Sequence, residues 1–329
     1  MAAGNQAGQP ATVPVVWLLT DNKPGHRNQL KGLGNRLRVL AGVRLHWVDA
    51  SRIRVPAWRA LLGIAPAMDS GLPPPALVIA AGTGTHRLLL SLRRYLRART
   101  VVVMKPGFPT GWVHGAIIPA HDSVSAHRNR LITEGVINAI TPMARVTTKP
   151  EALLLIGGPS RHYEWRDDVI VEQIKWLIHH YPMWRWTISG SRRTPPELQA
   201  RLNDLAGLKV TVVDPGQTHE DWLNHRIAAS AAIWVTPDSM SMVCEAATSG
   251  VPTGLFRLTP NTDSRVARGV EHLADQGYVA RWSDHATVMG GSSRQGPSLW
   301  EADRAARWLI SRWLQPGKRQ AKRQKGNNG

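Results

Sequence analysis

Short apolar runs recur along this chain, and most of them lead through a polar turn into a helical pattern. Leu77 to Ala81 (LVIAA) and Val210 to Val213 are examples. They are too short for buried helices and carry the residues that strands favour. Strands separated by helices pair in parallel, because a parallel neighbour needs a crossover connection. The alternation therefore predicts doubly wound parallel sheets. A first series holds strands at Val15 to Thr20, Val43 to Val48, Leu77 to Ala81, Val101 to Met104, Gly115 to Ile118 and near Ile132. A second holds Ala152 to Ile156, Arg185 to Ser189, Val210 to Val213, Ile233 to Val235 and Thr253 to Phe256. Between them lies the proline-bounded connector AITPMARVTTKP, residues 139 to 150.

This reading divides the 329 residues into a flexible start (1–14), a first domain (15–145), a second (151–298), a terminal helix (299–315) and a basic tail (316–329). Tail GKRQAKRQKGNNG has no apolar periodicity and is expected to be disordered. Charge separates the halves. Residues 1–150 hold 19 Lys and Arg against 5 Asp and Glu, whereas 151–315 hold 17 against 18. A basic half favours phosphate-bearing partners, including anionic membrane surfaces. Nucleic acid is not the expected partner, since no zinc finger, RRM signature or comparable motif occurs. One cysteine, Cys244, excludes an internal disulfide framework. With no export signal read at the N-terminus and no apolar run long enough to span a bilayer, a cytoplasmic location is expected, with peripheral attachment to the inner membrane as an option.

Residues 233–254, IWVTPDSMSMVCEAATSGVPTG, read as strand, polar turn and helix. Ser239 or Ser241 can cap that helix, Glu245 sits one turn beyond Ser241, and Gly250 with Pro252 ends it. The helix start from Asp238 to Ser241 suits a phosphate and Glu245 suits ribose hydroxyls. This segment resembles the donor-binding signature of GT-B glycosyltransferases. With WLLTDNKPGHRNQ (17–29), IPAHD (118–122) and LLLIGGPSRHYEW (153–165), the chain is similar to the mitochondrial-fission Elm-type proteins and their bacterial relatives. The resemblance implies a GT-B-like fold, two Rossmann-type domains facing across a cleft, and a glycosyltransferase activity.

Several residues are then candidates for the chemistry. His26 follows the first strand, with Asp21 or Lys23 available to orient it, and Gly25 there would let a ligand approach the backbone. Asp122, supported by His121, is the alternative proton acceptor. Both are expected near the acceptor, and the residues do not choose between them. Gly157, Gly158 and Ser160, following a strand, are expected to offer N–H groups to a diphosphate. Arg161, Ser189 and Arg192, together with Arg193, line the same sheet edge, and an arginine can neutralise the leaving group in place of a metal. No Asp-x-Asp motif occurs, so no metal and no cofactor beyond the nucleotide-sugar substrate are expected. Trp58 and Trp112, in the basic half, are candidates to meet lipid or sugar.

The expected function is transfer of a sugar from a nucleotide-sugar donor to a lipid-linked or cell-envelope glycan acceptor. A different class stays open, because plant members of the resembling family recruit a dynamin-like GTPase. The same scaffold can serve as a non-catalytic adaptor.

Overall fold

The computed structural model describes residues 13–122, 125–219, 221–290 and 298–314. Residues 1–12 and the tail 316–329, both expected to be flexible, lie outside the described residues. Strands β1 (Val15–Thr20), β2 (Arg44–Asp49), β3 (Leu77–Ala81), β4 (Arg99–Val103), β5 (Gly115–Pro119) and β6 (Arg130–Thr133) form one sheet in the order β2-β1-β3-β4-β5-β6. Helices α1 (Pro24–Ala41), α2 (Ala57–Leu62) and α3 (His86–Ser91) connect its strands. A second sheet holds β7 (Glu151–Leu155), β8 (Arg185–Ser189), β9 (Val210–Val213), β10 (Ala232–Val235) and β11 (Thr253–Leu255), in the order β11-β10-β7-β8-β9. Helices α4 (Asp167–His180), α5 (Pro196–Asn203), α6 (Trp222–Ala228) and α7 (Met240–Ser249) alternate with those strands. Helices α8 (Arg265–Asp275), α9 (His285–Met289) and α10 (Glu301–Leu309) follow.

Every pairing in the second sheet is parallel, as are those joining β2, β1, β3, β4 and β5 in the first. Central strands of such sheets are covered on both faces. β1, β3, β5 and β10 are accordingly buried at every position.

The compact units do not divide at the proline-bounded connector. One unit gathers the residues up to Ile117, His127–Leu131 and those from Asp303 onward; the other gathers Ile118–Ala126 and Ile132–Ala302. Residues 132–150 belong with the second unit, where Val136 and Ile140 are buried in a core with Val243, Cys244 and Leu299. The chain also changes unit within α10, whose Asp303 bonds Arg36 of α1 at 2.5 Å. Trp308 and Trp313 close on Gly115, where a Cβ would meet their rings at 3.0 and 2.7 Å.

Helix α8 is absent from the sequence reading. Ser264 caps it, accepting from Ala267 N at 3.1 Å, and Ala267, Val270, Leu273 and Ala274 form its buried stripe.

Candidate functional site

In open parallel sheets a ligand site forms where strand order reverses, because the loops leaving the two central strands diverge and open a crevice. The reversal lies between β7 and β10 in the second sheet and between β1 and β3 in the first. The sequence candidates cluster at both.

Beyond β7 come Gly157 and Gly158; beyond β10 come Thr236 and Asp238. Gly157 N donates to Thr236 Oγ1 at 2.8 Å and Gly158 N to Asp238 Oδ2 at 3.3 Å. These amides are engaged inside the protein, which corrects the expectation that they stand open to a diphosphate. Asp238 is likewise not a surface group at the helix start. Its side chain is fully buried and its Oδ2 accepts from Arg193 at 2.5 Å. The physical reason for the glycine pair is close approach. A Cβ on Gly157 would sit 2.3 Å from both Asp238 oxygens, and one on Gly158 would sit 1.9 Å from the Arg193 carbonyl oxygen. Arg193 reaches back to Gly158 O at 3.3 Å, and Thr194 Oγ1 donates to Gly157 O at 2.6 Å, so the loops after β7, β8 and β10 form one knot.

Of the alternatives for capping α7, Ser239 serves, accepting from Met242 N at 3.5 Å. Gly250 ends the helix in the left-handed conformation with φ 81°. Ser241 and Glu245 are half-buried on this helix, Ser189 is buried at the end of β8, and Arg192 is exposed.

Beside this knot is a polar cavity of about 380 Å³. Asp122, Arg161, His162, Ser264 and Arg265 line it, as does His121. Ser160 Oγ accepts from His162 N at 3.2 Å, and His162 Nδ1 pairs with the Ser264 hydroxyl at 3.1 Å. The capped start of α8 therefore opens on this cavity beside Arg161 and Arg265, an arrangement that favours an anion. Burial lowers the pKa of His121; burial and then Arg161, Arg193 and Arg265 lower that of His162. Asp122 belongs to this second unit, and its Oδ1 accepts from Arg265 at 3.1 Å. The structure thus groups it with Arg161 and Arg265 on the wall of that cavity. His121 packs on α8, where a Cβ on Gly269 would touch its Cβ at 2.8 Å.

A larger, apolar cavity of about 850 Å³ shares Thr262, Asp263 and Ser264 with the polar one. Tyr163, Phe256, Leu258 and Trp282 are among its walls. Ser189, Arg192, Ser241 and Glu245 line neither cavity.

In the first unit, the loops after β1 and β3 bring three titratable side chains together. His26 Nδ1 lies 2.8 Å from Asp21 Oδ1. With Nδ1–H donating to the carboxylate, Nε2 is left as the ring's acceptor, the arrangement of an oriented general base. Of the two residues offered to orient His26, Asp21 is the one in contact, while Lys23 donates its backbone N–H to the same oxygen at 3.3 Å. Gly82 makes the approach possible: at φ +92°, a Cβ there would fall 2.2 Å from His26 Nδ1 and 2.6 Å from Asp21 Oδ2. Gly25, singled out for close approach, has nothing within 4 Å of a built Cβ. His86 was not among the candidates. Its pKa is lowered by burial first and by His26 second, with Asp21 opposing. The signal was legible in GTGTH, a glycine-flanked turn after a strand that ends in a titratable group.

The family model described as Mitochondrial fission ELM1 matches residues 24–313. The chain belongs to that family. An uncharacterised protein of Rickettsia prowazekii, RP120, is 24% identical over 264 residues, covering 66% of this chain and 74% of that one. Among solved structures, UDP-GlcNAc 2-epimerase from Methanocaldococcus jannaschii aligns with a TM-score of 0.54 and 14% identity, covering 91% of this chain and 100% of that one. The S. aureus MnaA–UDP co-structure aligns at 0.50 and 14%, covering 91% and 88%. At such identities the likeness concerns fold, and the fold is GT-B-like: two parallel α/β units, each with a sheet-order reversal.

Proposed function

We propose that this ELM1-family protein is a metal-independent glycosyltransferase that moves a sugar from a nucleotide donor to a lipid-linked or cell-envelope glycan acceptor. One observation carries the reading. The polar cavity of the second unit gathers Arg161, Arg265 and the capped start of α8 beside the crevice of its sheet. Two guanidiniums and a helix N-terminus suit a diphosphate, and arginine can stabilise its departure without a metal. The structural neighbours named above, one a UDP-GlcNAc epimerase and one a UDP co-structure, support a nucleotide diphosphate as the ligand class.

On this reading Arg161 and Arg265 hold phosphate, and α7 with Glu245 offers its carboxylate to the ribose. His26, oriented by Asp21, is the preferred proton acceptor over Asp122, because Asp122 is committed to Arg265. Ser160 positions His162 at the cavity wall. The basic first unit would suit work on a lipid-linked acceptor at the cytoplasmic face of an anionic membrane. No helix among the described residues is long and apolar enough to cross a membrane.

The adaptor reading retains one specific support: the Gly157 and Gly158 amides are occupied internally and Glu245 lines neither cavity. A thermal-shift panel of nucleotides and nucleotide sugars separates the two. Ligand at about 100 times Kd adds roughly 2.7 kcal/mol, or several degrees in Tm. A shift with one nucleotide class, lost in Arg161→Ala and Arg265→Ala and reduced in Glu245→Ala, establishes the donor site. No shift with any nucleotide in folded protein favours the adaptor. Product analysis with donor alone then distinguishes transfer from epimerisation.

A further inference from the structure

The first unit carries an apolar surface that its own fold leaves uncovered. Trp58, Leu61 and Leu62 stand at i, i+3 and i+4 on α2, and so share one face of that helix. With Ile64 beyond the helix and Leu96 of the following 3-10 segment Leu92–Arg97, they are between 42% and 59% exposed. Ala60, on the opposite face, is buried and anchors the helix.

The two segments are joined at the backbone. Arg93 Nη1 donates to Ala60 O at 2.8 Å and Arg94 Nη1 to Leu62 O at 3.3 Å, and Arg93 also reaches Leu61 O. These are the carbonyls a helix C-terminus leaves without intrahelical partners. The Arg93 and Arg94 guanidiniums satisfy them, with Gly63 N also donating to Ala60 O, so the helix tip can enter a medium poorer in water without stranding its polar backbone. Leu96 and Arg97 hold φ of 44° and 57°, a left-handed pair without glycine. Such local strain commonly marks a functional surface.

Charge completes the pattern. Residues 50–68 and 86–99 contain eight arginines and no Asp or Glu. Arg54 and Arg87 also line a cavity of about 370 Å³ beside the start of α2, with Ile53, Val55 and Pro56 as apolar walls. Arginines concentrated in the segments that carry exposed Trp and Leu, with Asp49 and Asp69 at the margins, match the composition of an interfacial membrane anchor. A nucleic-acid surface would need the cations but not the exposed leucines.

We propose that the face formed by α2, Ile64 and the Leu92–Arg97 segment docks on an anionic lipid bilayer. Trp58, Leu61, Leu62 and Leu96 enter the headgroup boundary, and Arg54 and Arg87 take lipid phosphate. The inference rests on the membrane part of the reading above and is independent of the transfer chemistry.

The test is flotation of the full-length protein with vesicles of phosphatidylcholine alone and of phosphatidylcholine with 30% phosphatidylglycerol. The triple variant Trp58→Ser/Leu61→Ser/Leu62→Ser and the pair Arg54→Gln/Arg87→Gln are run beside it. We expect binding to the anionic vesicles only, weakened by salt, and reduced about tenfold or more in each variant. Circular dichroism confirms that both fold. Wild type that ignores anionic vesicles overturns the proposal, as does a triple variant that binds like wild type, since the basic tail would then be the anchor. Salt-steep binding to duplex DNA that falls in the arginine pair but not in the apolar triple, without vesicle binding, would assign the surface to nucleic acid instead. Flotation is done without nucleotide, so a failed donor shift leaves this result standing, and the reverse.

Discussion

The Arg193–Asp238 pair offers the sharpest quantitative test of the second unit. Asp238 has a fully buried side chain; Oδ2 accepts from Arg193 at 2.5 Å and Gly158 N at 3.3 Å, and Oδ1 is buried without a hydrogen-bond partner. Removing one partner of a buried pair typically costs about 3–5 kcal/mol, because the other charge is stranded. The Arg193 side chain is 42% exposed, so its deletion lets water toward the carboxylate and reduces the penalty. We therefore expect Arg193→Ala to cost about 2–3 kcal/mol. Asp238→Asn keeps an acceptor for Gly158 and leaves a guanidinium that can turn to solvent, for a loss of about 1 kcal/mol. The double variant should fall short of additivity by about 1–2 kcal/mol, as contacting residues do.

The assay must report on the second unit itself, since a chain of two compact units need not unfold in a single two-state transition. Cys244 provides the probe, being buried in the core of that unit. Pulsed thiol labelling across a urea series gives the free energy of its exposure. A loss below about 0.5 kcal/mol for Arg193→Ala would refute the argument, as would strict additivity in the cycle. Either result would mean that Asp238 is not stranded by losing Arg193, and that the knot of loops is held otherwise.

Gly82→Ala should cost about 2–4 kcal/mol, through its positive φ and the collision with His26, and should abolish the ring-proton shifts that report the His26–Asp21 contact by NMR. Gly25→Ala, with open space around it, should be neutral within about 0.5 kcal/mol. Burial depresses the pKa of His86, His114 and His121, so the unfolded chain takes up protons near pH 6.5 that the folded chain refuses. Stability should thus fall as pH drops below about 6.5, measured as Tm at successive pH values. His114→Asn should flatten part of that slope, since Nδ1 accepts from Thr100 N at 3.1 Å and an amide oxygen can replace it without titrating. Burial pushes the Cys244 thiol up to about 12, so thiol reagents at neutral pH should react only after unfolding, which timed labelling with and without urea would show.

What was legible in the sequence follows from what local patterns encode. Strands buried on both faces must be continuous apolar runs, so β3 and β10 could be read nearly to the residue. The capped, glycine-terminated α7 was legible for the same reason: its start and stop are local chemistry. Helix α8 was not, although Ser264 and the stripe from Ala267 to Ala274 announce it; Gly269 in its interior weakens the local helix signal. That glycine is a tertiary requirement, since a Cβ would meet Met240 at 2.5 Å and His121 at 2.8 Å. The terminal stretch from Trp300 onward read as a helix, but its change of unit at Asp303 depends on Arg36, distant in sequence.

The glycines show where local reading fails in a more instructive way. GGPS after a strand resembles a phosphate loop because small residues and free amides look alike in a sequence, yet the amides here serve Thr236 and Asp238. Gly25 and Gly82 show the converse. Both flank the turns leaving the two central strands, and only Gly82 is required, by a histidine more than fifty positions earlier. Residue type marks the places where something approaches closely; only the fold says what approaches. By that criterion the anion site is better assigned to Arg161, Arg265 and the start of α8 than to the glycine pair. A ligand that bound through the Gly157–Gly158 amides would first have to displace a buried carboxylate and its arginine. Arg161→Ala and Arg265→Ala should therefore weaken any diphosphate more than Ser160→Ala does, and an equal loss in all three would argue that the loop itself, rather than the cationic cavity, holds the phosphate.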